Sequence, residues 1–335
     1  MTCSAIFGLS GTTLTDGERA FFAETMPLGF IFFSRNCQTP EQVRALCTDL
    51  RGVTGRADSP ILIDQEGGRV ARLQDPHWWH PPPARPFGDL WDRDPDNACR
   101  AATLNGQLIG ADLRGNGINV DCAPVLDVPV PGSHDIIGDR AFHTKPEAIA
   151  ALGRAFADGL IAAGVLPVIK HIPGHGRAGA DSHAELPVVD ATLQGLEQDF
   201  APFRDLREFP LAMTAHVLYS ALDPAHPATT SALIIADIIR AKIGFKGLLM
   251  SDDISSNMRA LSGGFAKRAR DSIAAGCDVV LHCDGDLAAM QIVAAALPPL
   301  SNQAAVRWAQ ASFLIVEPGP VDASAARQEL VSLLG

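Results

Sequence analysis

Eight short runs of apolar, β-branched or aromatic residues recur along the chain, and they restrict its fold more than any other feature. They are Ala5–Leu9, Gly29–Phe33, Pro60–Asp64, Gly117–Val125, Val165–His171, Leu211–Val217, Gly247–Asp252 and Cys277–His282. Each is continuous rather than alternating, the pattern of a strand buried on both faces of a parallel sheet. Most are separated by stretches of helical periodicity, among them Glu41–Leu50, Cys99–Arg114, Pro146–Ala163, Leu193–Leu206, Ser231–Ile243 and Ala266–Ala275. Gly164 and Gly276 follow two of these, where a helix end takes a left-handed residue. Strand–helix alternation repeated about eight times predicts an α/β fold, a single (β/α)8 TIM barrel; a doubly wound open sheet is the alternative topology. One domain over residues 1–335 accommodates it, with a tail after about residue 317 that packs on the barrel or trails from it. The Pro- and aromatic-rich segment His77–Trp91 reads as an ordered loop after the third strand.

With 47% hydrophobic and 19% charged residues among 335, the chain has ample material for a large core. The formal net charge of −11, from 27 Lys+Arg against 38 Asp+Glu and with no basic run, argues against nucleic acid or an anionic membrane as partner. A small or weakly charged substrate fits better. The seven cysteines form no Cys-x-x-Cys pair, and several sit inside apolar runs, which points to a reducing compartment. The opening MTCSAIFGLSG lacks the charged region and long apolar stretch of a secretory signal, and no apolar run approaches the roughly 20 residues of a membrane span. A cytoplasmic protein is expected.

In a barrel, reactive groups lie at the C-terminal ends of strands, and here those ends are unusually polar. The third run ends in Asp64, followed by QEGGRVAR to Arg72. A loop after the fourth reaches Gly138-Asp139-Arg140. The fifth ends in Lys170-His171, the sixth at His216, and the seventh in Ser251-Asp252-Asp253. These groups are expected to converge on one mouth.

The densest cluster is KHIPGHGRAGADSH, Lys170 to His183. Gly174, Gly176 and Gly179 give its second half the composition of a loop that closes over a ligand. Two chemistries suit it. His171, His175, His183 and Asp181 could bind a metal if the segment were helical, which Pro173 and the glycines oppose. Alternatively, one histidine oriented by a carboxylate works as acid and base: Asp181 and His183, two apart, share a face of an extended loop, and the carboxylate fixes the tautomer and stabilises the imidazolium.

These residues resemble a known signature. KHIPGHGRAGADSH followed by Leu186-Pro187 is similar to that of family 3 glycoside hydrolases, specifically the NagZ-type β-N-acetylglucosaminidases. DQEGGRVAR (Asp64 to Arg72), the segments APVLDV through IGDRAF (Ala123 to Phe142) and MSDDIS (Met250 to Ser255) agree in order and spacing. The resemblance spans about residues 5 to 315. It implies a TIM barrel, retention of configuration and no metal or other cofactor. Carried over by motif, it makes Asp252 the nucleophile, His183 the general acid/base and Asp181 its partner; Asp64, Arg72, Arg140, Lys170 and His171 would bind the hydroxyls of the terminal sugar. Asp253 is assigned to structure, because strand alternation points it away from Asp252. Ile172 stands where Phe is usual, and Ser255 is followed by Ser-Asn-Met rather than Met-Glu, departures that bear on subsite shape. The implied role is removal of N-acetylglucosamine from 1,6-anhydro-muropeptides in peptidoglycan recycling. The competing readings are a metal-dependent hydrolase, a sugar-binding protein without catalysis, and, within the family, a β-glucosidase or a phosphorylase.

Overall fold

Strands with no solvent face must be covered on both sides, and a closed barrel inside a ring of helices does this without leaving an edge. The computed structural model describes every residue except 181–185, 256–259, 318, 320 and 321. In it β1 (Cys3–Phe7), β2 (Pro27–Phe32), β3 (Ile61–Ile63), β4 (Val120–Asp121), β5 (Leu166–Ile172), β6 (Leu211–Thr214), β7 (Leu248–Asp253) and β8 (Val279–His282) close into one barrel. Neighbours in the chain are neighbours in space, all parallel, and β8 closes on β1 with Val280 opposite Ala5. The open-sheet alternative is thereby set aside.

Side-chain alternation sorts the apolar residues into two cores. Ile6, Leu28, Leu62, Val120, Val168, Met213, Met250 and Leu281, one or more from each strand, fill the barrel. Phe7, Phe30, Phe32, Ile63, Ile169, Leu249 and Val280 face the helices. The inward series places the next inward position after Leu62, Val168 and Met250 at Asp64, Lys170 and Asp252, so the packing pattern itself aims these three into the mouth.

The expected helices are present with shifted ends, as Pro40–Thr54, Pro95–Gly115, Pro146–Ala162, Leu193–Asp205, Ile234–Ile243 and Phe265–Ala275. Gly164 and Gly276 are left-handed, at φ 77° and 117°. Two expectations change. The fourth strand shrinks from Gly117–Val125 to Val120–Asp121, because Gly117 at φ 86° is still turning out of the preceding helix. The segment His77–Trp91 is not all loop: Arg85–Trp91 is helical, with Pro86 in its first turn and Phe87 and Leu90 buried. In the tail, helix Ala323–Leu334 lies on Pro95–Gly115, burying Leu330 and pairing Arg100 with Glu329 at 2.8 Å. All seven cysteines are free thiols. Among the described residues no helix is long and apolar enough to cross a membrane.

Candidate active site

A cavity of about 230 Å³ opens at the C-terminal ends of the strands, and Asp64, Arg72, Arg140, Lys170, His171 and Asp252 all line it. Apolar Ile31, Phe33, Val70 and Met213 supply much of the remaining wall.

The chain brings Asp64 and Arg72 together by a hairpin in which Gln65–Gly67 pairs antiparallel with Val70–Ala71. The Gln65 side chain braces it, accepting the amides of Arg72 at 2.8 Å and Leu73 at 3.0 Å and donating to the Leu73 carbonyl at 3.1 Å. Arg72 then reaches Asp64 at 3.1 Å, with its guanidinium 5.3 Å from the centre of the Phe33 ring. Lys170 bridges Asp64 at 3.0 Å and Glu66 at 2.6 Å, and Arg140 takes Glu66 in two bonds of 2.8 and 2.9 Å. Burial raises the Asp64 carboxyl, but Lys170 and Arg72 outweigh it and hold Asp64 ionised, well below its ordinary range. Burial opposes the charge on Lys170 as well, and Asp64 and Glu66 reverse that, leaving it a firm cation.

Glu66 lies inside the DQEGGRVAR motif but is a site residue that the sequence reading misses. Two carboxylates two residues apart beside a buried lysine are the signal that was available. Its carboxyl is raised by burial and lowered more by Arg140 and Lys170, to about 2. An unfolded glutamate titrates near 4.3. The depressed folded value means that Glu66 stabilises the fold fully above about pH 4.3 and loses that contribution as pH falls towards its folded value. Glu66→Gln is therefore expected to flatten the fall of the urea midpoint between about pH 5 and about pH 3. Parallel curves for the parent and the variant would show that the ion pairs carry no such linkage.

The second anchor is Asp127, fully buried in the apolar run APVLDV. A charge in such a run needs partners, and Asp127 accepts His171 Nδ1 at 2.7 Å and the amides of His171 and His175 at 3.2 and 2.6 Å. Alternation along β5 would send His171 away from Lys170; a register irregularity between Lys170 and Ile172 lets both line the cavity. His175 is also in the wall, its ring pushed down to about 4, chiefly by burial. The chain turns beneath it through Gly176, where a Cβ would sit 2.1 Å from the Val128 carbonyl oxygen. Only glycine permits that approach.

Asp252 stands on the end of β7. Burial pushes its carboxyl up, but its surroundings, among them the His171 ring, the Asp253 amide and Lys170, hold it below the usual aspartate value. The Asp253 amide donates to it at 2.7 Å. Asp253 also borders the cavity, across a register irregularity between Met250 and Asp253, so alternation alone does not separate the two. Their bonding does: the Asp253 carboxylate is taken up by the Ser255 amide at 2.9 Å, the Ser255 hydroxyl at 2.5 Å and the Cys283 amide at 3.0 Å. His216, expected at the mouth, is fully buried behind Asp252 and Asp253, because β6 ends two residues earlier at Thr214. Asp181 and His183 lie outside the described residues. Of the four groups considered for a metal, only His171 and His175 are described, and among the described residues no three His, Cys, Asp or Glu side chains are grouped to hold one.

A parallel eight-stranded barrel with its charged groups gathered at the C-terminal mouth is the architecture of a TIM-barrel enzyme. The profile of the glycosyl hydrolase family 3 N-terminal domain matches residues 16–313. A β-hexosaminidase of Alkalilimnicola ehrlichii is 42% identical over 282 residues, covering 83% of this chain and 80% of the relative. One of Bordetella pertussis is 40% identical over 285 residues, covering 84% and 80%. Native NagZ from Neisseria gonorrhoeae superimposes with a TM-score of 0.88 at 32% identity, covering 100% of this chain and 98% of that one, and the same protein has been solved with N-trifluoroacetyl-D-glucosamine. The chain belongs to the family 3 glycosyl hydrolases and is a glycoside hydrolase.

Proposed function

We propose that the chain is a retaining β-N-acetylglucosaminidase that removes terminal β-linked N-acetylglucosamine, acting in the cytoplasm on 1,6-anhydro-muropeptides during peptidoglycan recycling. The observation that carries the chemistry is the condition of Asp252. Among the described residues lining the cavity, Asp64 and Glu66 are neutralised by ion pairs and Asp253 is saturated by donors, while Asp252 accepts only its neighbour's amide. An ionised carboxylate with a free oxygen on a rigid strand end is a ready nucleophile. The small cavity at the barrel mouth suits one terminal sugar, and the β-hexosaminidase relatives and the sugar-bound NagZ neighbour support N-acetylglucosamine as that sugar. The cytoplasm and the muropeptide aglycone rest on the family resemblance.

In the first step an Asp252 oxygen bonds to the anomeric carbon as the glycosidic C–O bond breaks, and His183, oriented by Asp181, gives its proton to the departing oxygen. In the second, His183 takes a proton from water, which attacks the anomeric carbon and releases Asp252. Because a histidine replaces one of the usual two carboxylic acids, the spacing of about 5–5.5 Å between carboxyl groups does not apply. Lys170, Arg72 and Asp64 bond the sugar hydroxyls, more tightly as charge develops on the ring.

Arg72→Ala and Lys170→Ala are accordingly expected to lose kcat/KM by more than KM rises. The measurement is hydrolysis of aryl β-N-acetylglucosaminide, glucoside and xyloside, with and without phosphate. Preference for the N-acetylglucosaminide in water supports the proposal. Faster cleavage of the glucoside, or turnover only with phosphate, would replace it. A variant of either cation with parental kinetics would remove that residue from the sugar site.

A further inference from the structure

Behind the cavity floor lies a hydrogen-bonded cluster that no motif announces. Thr214, His216 and Thr229 are each fully buried. The Thr229 hydroxyl lies 2.8 Å from the Thr214 hydroxyl, 2.7 Å from His216 Nδ1 and 3.1 Å from the Ala215 carbonyl. Thr214 Oγ1 accepts the Asp252 amide at 3.4 Å, and His216 Nε2 reaches the Asp253 carbonyl at 2.7 Å. Both ends of the Asp252–Asp253 unit are therefore held from behind, and both supports meet at Thr229.

The proton inventory gives this cluster a direction. A carbonyl only accepts, so His216 Nε2 carries a hydrogen. Burial pushes the His216 ring down, which favours its neutral form. Nδ1 is then a bare acceptor, and among the described residues it is the Thr229 hydroxyl that stands ready to donate to it. Thr229 has one hydrogen, directed at Nδ1 at 2.7 Å and shared with the longer contact to the Ala215 carbonyl at 3.1 Å, so from Thr214 it accepts. The order Thr214 to Thr229 to His216 to the Asp253 carbonyl gives each of these four groups a partner, with the Ala215 carbonyl sharing the Thr229 hydrogen, whereas the other imidazole tautomer would set a bare nitrogen against the Asp253 carbonyl oxygen.

We infer that Thr229 is a positioning residue for Asp252: its hydroxyl fixes the tautomer of His216 and the rotamer of Thr214, and so holds the Asp252–Asp253 backbone in the direction from which Asp252 attacks. The inference rests on the reading of Asp252 as nucleophile. It concerns the line of attack and not the binding of sugar, since neither Thr229 nor His216 lines the cavity.

Thr229→Val keeps the shape and removes the hydroxyl, and Thr229→Ser restores it. On an aryl β-N-acetylglucosaminide, Thr229→Val is expected to lose roughly 10- to 100-fold in kcat with KM within about threefold of the parent, the size of effect that a misdirected reacting group produces. Thr229→Ser is expected to stay within about threefold in both. Parental kcat in the valine variant, or equal losses in valine and serine variants, would overturn the inference. Should the valine variant fail to fold, Thr214→Val removes the other support and is expected to show the same loss confined to kcat; a loss confined to KM would overturn it. Nitrogen-15 NMR of His216 separates this inference from the proposed activity. A neutral ring protonated at Nε2 is expected in the parent, whatever the substrate proves to be. The Nδ1–H tautomer there would overturn the inference even if the enzyme is the proposed glycosidase.

Discussion

Asp252→Ala is expected to leave the barrel folded and to lower kcat by roughly 10⁴-fold or more on every β-N-acetylglucosaminide. Folding should survive because the Asp252 side chain makes no ion pair among the described residues; its backbone is held by Thr214 and its neighbour by His216. Activity should not, because the other cavity carboxylates are committed elsewhere. Asp64 and Glu66 neutralise Lys170, Arg72 and Arg140, and Asp253 bonds Ser255 and Cys283. Kinetics and thermal unfolding on the same preparation check this. Turnover within tenfold of the parent in a folded variant would remove Asp252 from the nucleophile's role.

The second large effect is selective for the leaving group. His183→Ala should cleave natural disaccharides such as chitobiose roughly 10²- to 10⁴-fold more slowly, since a sugar alkoxide leaves only with a proton. A nitrophenolate departs almost unaided, so formation of the covalent intermediate from an aryl glycoside should suffer little. The second step still needs a base to activate water, so the intermediate should accumulate, and azide, which attacks without one, should restore turnover. Asp181→Ala should show a weaker form of the same pattern, because the imidazole remains but loses the group that orients it. Measuring kcat for chitobiose and a nitrophenyl glycoside, with and without azide, decides the matter. An equal loss on both substrates without rescue would mean that His183 only holds its loop.

What could be read from the sequence follows the range of the forces involved. Strand and helix periods are local, so the eight-stranded barrel and the inward positions of Asp64, Lys170 and Asp252 were legible from the apolar runs alone. Arg72 was legible only through the family resemblance; the hairpin that brings it back to Asp64 is seen in the structure. Partnerships between distant segments were not. Asp127 meets His171 across 44 residues and Glu66 meets Arg140 across 74, and nothing local to either carboxylate names its partner. Arg140 illustrates the consequence. Its place in the cavity was expected, but Nε and Nη2 of its guanidinium are bonded to Glu66 and Nη1 to the Ile136 carbonyl, which leaves it little freedom to follow a ligand. The run Leu211–Val217 reads as one unbroken strand and so puts His216 at the mouth; the ladder stops at Thr214, and the turn carries the histidine behind the floor. Thr229 belongs to no motif, and only the packed structure brings it against Thr214 and His216.

The covalent bond proposed between the sugar and Asp252 can be trapped. A β-N-acetylglucosaminide analogue carrying 2-fluoro in place of the acetamido group, with a good leaving group, slows both steps and the second most. Incubated with the parent enzyme, digested and sequenced by mass spectrometry, it should leave one glycosyl unit on the peptide containing Met250-Ser251-Asp252-Asp253, with the modification on Asp252. A modification on Asp253 would reverse the assignment of the two neighbours. Full turnover with no adduct at any residue would contradict the covalent route itself.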